Sequence, residues 1–141
     1  MEEFTMLKLI IGVKGTGKTK MLIEEVHKAL DVTKGDVVCV ERGTTLRYSI
    51  SHKARLVDAD EYGINNAGAV YGFVAGILAS NHDVTDLFID HTYNLCQRDN
   101  EAFENLLIRL DRLSNKLGVN IILTSSIPAE EATETMKSYL L

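Results

Sequence analysis

The sequence predicts a three-layer α/β domain with a mainly parallel sheet, and it predicts that residues 1–141 form a single domain. Three observations carry this. Strand-length apolar runs alternate with helix-period segments in the order β-α-β-hairpin-α-β-α-β-α. The second run, Asp36-Val37-Val38-Cys39-Val40-Glu41, is an unbroken β-branched stretch, as in strands covered on both faces of a parallel sheet. A glycine-rich turn joins the first strand to the first helix.

Taken in order, strand one covers residues 6–11. Helix one runs from residue 17 to about 30, with Met21, Leu22, Val26, Ala29 and Leu30 on one face. Lys34-Gly35-Asp36 is a turn signal before strand two at 36–41. After the turn Arg42-Gly43-Thr44-Thr45, residues 46–50 and 54–58 alternate around Ser51-His52-Lys53, which predicts a β-hairpin. Residues 60–67, polar and glycine-containing, read as loop or a short turn of helix. Residues 69–79 have almost no polar face. They predict a helix buried on the sheet, with Gly72 and Gly76 allowing close approach; a subunit interface is the competing reading. Strand three is 86–90. A helix over 100–117 carries Phe103, Leu106, Leu110, Leu113 and Leu117 at steps of three and four, and Gly118 ends it. Strand four is 119–124, and Pro128 opens a last helix over 129–139.

Composition narrows the class. The net charge is −5, with scattered charges and no basic block, so there is no clear nucleic-acid signal. Cys39 and Cys96 lack metal-ligand spacing and read as buried free thiols of a reducing compartment. The first residues, Met1-Glu2-Glu3-Phe4-Thr5-Met6, are acidic and lack a signal peptide's basic start. The 69–79 run falls short of the about 20 residues a membrane span needs. The expectation is a soluble, cytoplasmic protein.

The glycine-rich turn carries the chemistry. Gly12-Val13-Lys14-Gly15-Thr16-Gly17-Lys18-Thr19 fits G-x-x-x-x-G-K-T, the phosphate-binding P-loop signature. Its glycines let successive N–H groups curl round an anion, and the following helix points its positive end at the phosphates. Lys18 is expected to reach the β- and γ-phosphates, and the Thr19 hydroxyl to bind Mg²⁺. Asp90 ends an apolar strand, where a carboxylate can hold the same ion, usually through water. His91 follows, where many such ATPases place a water-orienting glutamate. Either another group serves or hydrolysis is slow, and Glu41 at the carboxyl end of strand two is the best-placed candidate; a solvated strand-end glutamate is its competing reading. Thr124, Ser125 and Ser126 end strand four on the same edge, where a hydroxyl could sense the γ-phosphate or Ser126 could cap a helix. Arg42, Arg47, Arg98 and Arg112 are possible charge stabilisers, none singled out.

On Gly12–Thr19 together with Leu87-Phe88-Ile89-Asp90, the chain resembles P-loop NTPases of the RecA-like, additional-strand group. The resemblance implies a core strand order 1-4-3-2, and it places Glu41 where RecA carries its catalytic glutamate. The whole chain also resembles short bacterial ATP-binding proteins, sometimes labelled twitching-motility-like. The motility ATPases have further motifs and a domain absent here, so that function is not adopted. A second resemblance, to thymidine kinase, rests on the P-loop, Leu46-Arg47-Tyr48-Ser49 and Asp90; it lacks that family's glutamate at the position of His91 and its cysteine-rich lobe. Lys14 stands four residues before Lys18, not the five of the ParA-like loop.

The expected function is Mg²⁺-dependent binding of ATP or a related nucleoside triphosphate, with slow hydrolysis. Two alternatives stand beside it. One is a nucleotide-dependent interaction module with a protein partner; the other is a small-molecule kinase.

Overall fold

The computed structural model describes residues 6–141. The expectation drawn from Met1 to Thr5 lies outside the described residues. Five strands, β1 (Leu7–Ile11), β2 (Asp36–Glu41), β3 (Arg55–Asp58), β4 (Val84–Ile89) and β5 (Asn120–Ser125), form one sheet in the order β1-β5-β4-β2-β3. Every neighbouring pair is parallel. The helices are α1 (Lys18–Val32), α2 (Ala67–Ser80), α3 (Thr92–Leu95), α4 (Asn100–Leu117) and α5 (Glu134–Lys137). The strands expected as three and four are β4 and β5, and a fifth strand, β3, joins the sheet at the edge beyond β2.

Strand periodicity of two explains why both faces are covered. Leu87 and Ile89 of β4 join one core cluster with Val70, Val74 and Leu78 of α2 and Phe103, Leu106, Leu107 and Leu110 of α4. Phe88 points the other way, into a second cluster with Leu22, Val26 and Ala29 of α1. The sheet therefore lies between helices on its two sides. A buried strand has no polar alternation, which is why β2 reads as a continuous apolar run. Both cysteines are buried and free, and burial pushes each thiol up to about 12.

Three expectations need correction. There is no hairpin after β2. Residues Thr45–Tyr48 form a 3₁₀ turn, with the Ile50 N–H donating to Leu46 O at 2.9 Å, and β3 then runs parallel to β2. Leu46 and Ile50 are four apart and both buried, while Tyr48 between them is 78% exposed. The period was helical, although two apolar residues flanking a third also suit a strand. The last helix is not continuous either. A 3₁₀ turn (Ala129–Glu131) ends at the extended Ala132, and Thr133 caps the four-residue α5, its side chain accepting from the Met136 N–H. Finally, Gly72 and Gly76 of α2 face away from the sheet. A Cβ built at either would meet nothing within 4 Å, and contact with the sheet side is made by Val70, Val74 and Leu78. Among the described residues no helix is long and apolar enough to cross a membrane.

Candidate functional site

Parallel strands end together, and register places their ends side by side. Ile11 of β1 pairs with Ser125 of β5, Ile89 of β4 with Leu123, and Val40 of β2 with Ile89. The segments after β1, β4 and β5 thus meet at one edge of the sheet, the edge where open α/β sheets bind ligands.

The Gly12–Thr19 loop leaves β1 at this edge. Gly15 and Gly17 hold φ of 87° and 88°, the left-handed region that a Cβ disfavours. Gly17 is the N-cap of α1 and offers no side chain to its free N–H groups. Within the loop, the Thr16 hydroxyl donates to Val13 O at 2.7 Å. Lys18 Nζ donates to the same carbonyl at 2.9 Å, so the ammonium is held over the loop. Lys18 is 6% exposed. Burial lowers its pKa below the ordinary lysine value, and the neighbouring Asp90 carboxylate works in the opposite direction.

Asp90, 2% exposed, lies just past β4, and its N–H donates to Val40 O at 2.9 Å. The Thr19 hydroxyl donates to Asp90 Oδ2 at 3.2 Å. On the other side, the Thr124 hydroxyl donates to Asp90 Oδ1 and accepts from the His91 N–H at 2.9 Å. One hydroxyl therefore fixes both the carboxylate and the backbone after it. His91 adopts φ 55°, and its Nε2 lies 3.4 Å from Asp90 Oδ2. Two buried side-chain polar atoms at this edge, His91 Nδ1 and Ser125 Oγ, have no hydrogen-bond partner among the described residues. Such atoms are uncommon in folded proteins and call for a cause.

The structure brings Lys18, Thr19, Asp90, His91 and Thr124 together. Glu41 is engaged elsewhere. Its Oε1 accepts from the Thr45 hydroxyl at 2.9 Å and its Oε2 from the Leu46 N–H at 2.8 Å, closing the 3₁₀ turn that follows β2. Glu41 is 5% exposed and lines a small cavity of about 180 Å³ with Gly43, Thr44 and Asp58. Arg42 pairs with Asp60, and Arg98 stacks over Tyr93. Sequence reasoning missed α3, the single helical turn that carries the chain away from Asp90. Its signal is slight, because four residues cannot display a period. Among the described residues, no group of three or more His, Cys, Asp or Glu side chains gathers in a metal-holding cluster.

Comparison with known proteins finds no family model that matches the chain and no matching curated protein.

Proposed function

We propose that this protein binds Mg·ATP or a related nucleoside triphosphate on the Gly12–Thr19 loop and hydrolyses it slowly. The observation that supports this most is the juxtaposition of Lys18 and Thr19 with Asp90, from segments 71 residues apart, at the carboxyl edge of a parallel sheet. The insertion of β5 between β1 and β4 supports the RecA-like, additional-strand reading of the fold.

The residues suit magnesium. The Thr19 hydroxyl and the Asp90 carboxylate are hard oxygen donors facing each other 3.2 Å apart. Magnesium favours such a sparse protein set, because it keeps several waters and takes its remaining ligands from phosphates. Thr19 and Asp90 would hold the ion, which would supply neutralisation of the charge developing on the phosphates. Lys18 and the loop N–H groups would stabilise the same charge. Thr124 orients Asp90. Slow turnover follows from the side chains available to orient water. His91 stands beside Asp90 in place of a carboxylate, and each Glu41 oxygen already accepts one hydrogen bond from the turn after it. A carboxylate oxygen can accept more than one, so Glu41 keeps the capacity to hold a water.

Nucleotide binding and phosphate release, measured together on the purified protein with and without Mg²⁺, test this. Binding that needs Mg²⁺ and is followed by slow phosphate release is the expected result. Binding without release moves the protein to a nucleotide-dependent interaction module, a reading favoured by His91 at the water-orienting position. No binding ends both readings.

A further inference from the structure

We infer that the free edge of β3 is a docking site for an extended, acidic segment of a partner protein. This rests on a region apart from the nucleotide edge and does not depend on that reading.

The two edges of the sheet are treated differently. The outer side of β1 is covered: Leu9 N–H donates to Tyr139 O at 2.8 Å, and Leu141 N–H donates to Leu9 O at 3.0 Å. β3 pairs with β2 alone, and among the described residues no segment pairs with its outer side. Half of its backbone N–H and C=O groups therefore point outward, as a template for another strand.

Two grooves flank this edge, one on each face of the sheet. One, of about 450 Å³, has an apolar floor that includes Val57, Phe73 and Ile77. The other, of about 410 Å³, is floored by Ile50, Ala54 and Leu56. Val57 packs with the cluster under α2 and Leu56 with the cluster under α1, so the grooves lie on opposite faces. Successive side chains of an added strand also point to opposite faces. An extended peptide would fill both grooves in alternation.

The charge at the grooves decides the partner. In a chain of net charge −5, the exposed Arg47, Lys53 and Arg55 line them and make no ion pair among the described residues. One carboxylate lines the grooves beside these cations, Asp36, which accepts from Asn81 Nδ2 at 2.9 Å; Asp58 and Glu61 line the small cavity beyond them with Arg47. A second copy of this chain, pairing β3 to β3, would set these cations against one another. RNA would satisfy the cations but leave the strand edge and apolar floors unused. An acidic strand with interspersed apolar residues uses all three features.

Fluorescence anisotropy with a labelled, end-capped six-residue peptide of alternating glutamate and valine tests the proposal. Three probes accompany it: the same peptide with lysine for glutamate, the same peptide N-methylated at alternate residues, and a single-stranded oligouridine. The acidic peptide should bind at least tenfold tighter than the lysine and N-methylated forms. Arg55→Glu combined with Lys53→Glu should weaken it at least tenfold with an unchanged melting temperature; should that pair unfold the protein, Arg55→Gln with Lys53→Gln replaces it. Four results would overturn the proposal: no binding of the acidic peptide, equal binding of either control peptide, tighter binding of oligouridine, or self-association of the protein that the charge change abolishes.

Discussion

Asp90 and Glu41 sit at the carboxyl ends of adjacent strands, β4 and β2, and both are almost fully buried. Their surroundings differ. Asp90 accepts from hydroxyls contributed by the end of the glycine-rich loop and by β5, which are distant in sequence. Glu41 accepts from the hydroxyl and backbone N–H four and five residues further along its own chain. Position at the edge alone therefore does not separate a site carboxylate from a turn-closing one. The identity of its hydrogen-bond donors does: long-range hydroxyls beside Lys18 for one, the immediately following turn for the other.

The largest expected effect falls on the Asp90 side. Lys18→Ala should abolish the rise in melting temperature that Mg·ATP gives, since a ligand that binds only the native state stabilises it. The loop itself loses one contact, the 2.9 Å bond to Val13 O, so the protein should still fold. An equal nucleotide-induced shift in the variant removes the phosphate loop from consideration, and with it the contrast between the two carboxylates.

Asp90→Asn comes next and sharpens the contrast directly. If Asp90 acts through a metal, nucleotide affinity should fall in Mg²⁺ and change little in EDTA. Equal losses in both conditions, read by titration, would mean that Asp90 serves only to hold Thr19 and Thr124. Glu41→Gln should leave the Mg²⁺ dependence untouched in either case.

Much of this was legible in the sequence, and the reasons are physical. Strands covered on both faces must be apolar throughout, so β2, β4 and β5 stand out. The stripe of α4 and its end at Gly118, which has φ 69°, are equally plain. The loop declares itself because its glycines occupy backbone angles other residues avoid. The region after β2 is ambiguous in the sequence, because Leu46 and Ile50 satisfy a strand pattern and a helical turn alike. The break at Ala132 left no proline or glycine to mark it. The link from Thr124 to Asp90 spans 34 residues, and spacing along the chain does not report such a pairing.

Glu41→Gln has a smaller and divided effect. The amide replaces one acceptor oxygen with a donor, so either the Thr45 hydroxyl must turn or the Leu46 N–H loses its partner. A loss of about 1–3 kcal/mol in stability is expected from a buried donor left unsatisfied. If Glu41 also holds the attacking water, turnover at saturating nucleotide should drop at least roughly tenfold while Mg·ATP affinity stays, since groups of that kind contribute about 10²–10⁴-fold. Denaturant melts and steady-state turnover on the same preparation separate the two. Lower stability with parental turnover leaves Glu41 as a turn-closing residue alone.

Thr45→Ala is the smallest change and the one that isolates the turn. It removes a single hydrogen bond to Glu41 Oε1 and leaves the Leu46 N–H on Oε2. Thr45 is exposed, so water can take the place of its hydroxyl on Oε1. About 0.5–1.5 kcal/mol of destabilisation is expected, the usual net worth of one such bond. The carboxylate survives with one oxygen released, so a water-holding Glu41 should keep its turnover, whereas Glu41→Gln would not. Measured side by side, the two variants divide the roles: stability lost in both, with turnover lost only in Glu41→Gln, assigns the carboxylate to both the turn and the water. Turnover lost in both would mean that Thr45 sets the position of Glu41, and that the turn after β2 belongs to the site after all.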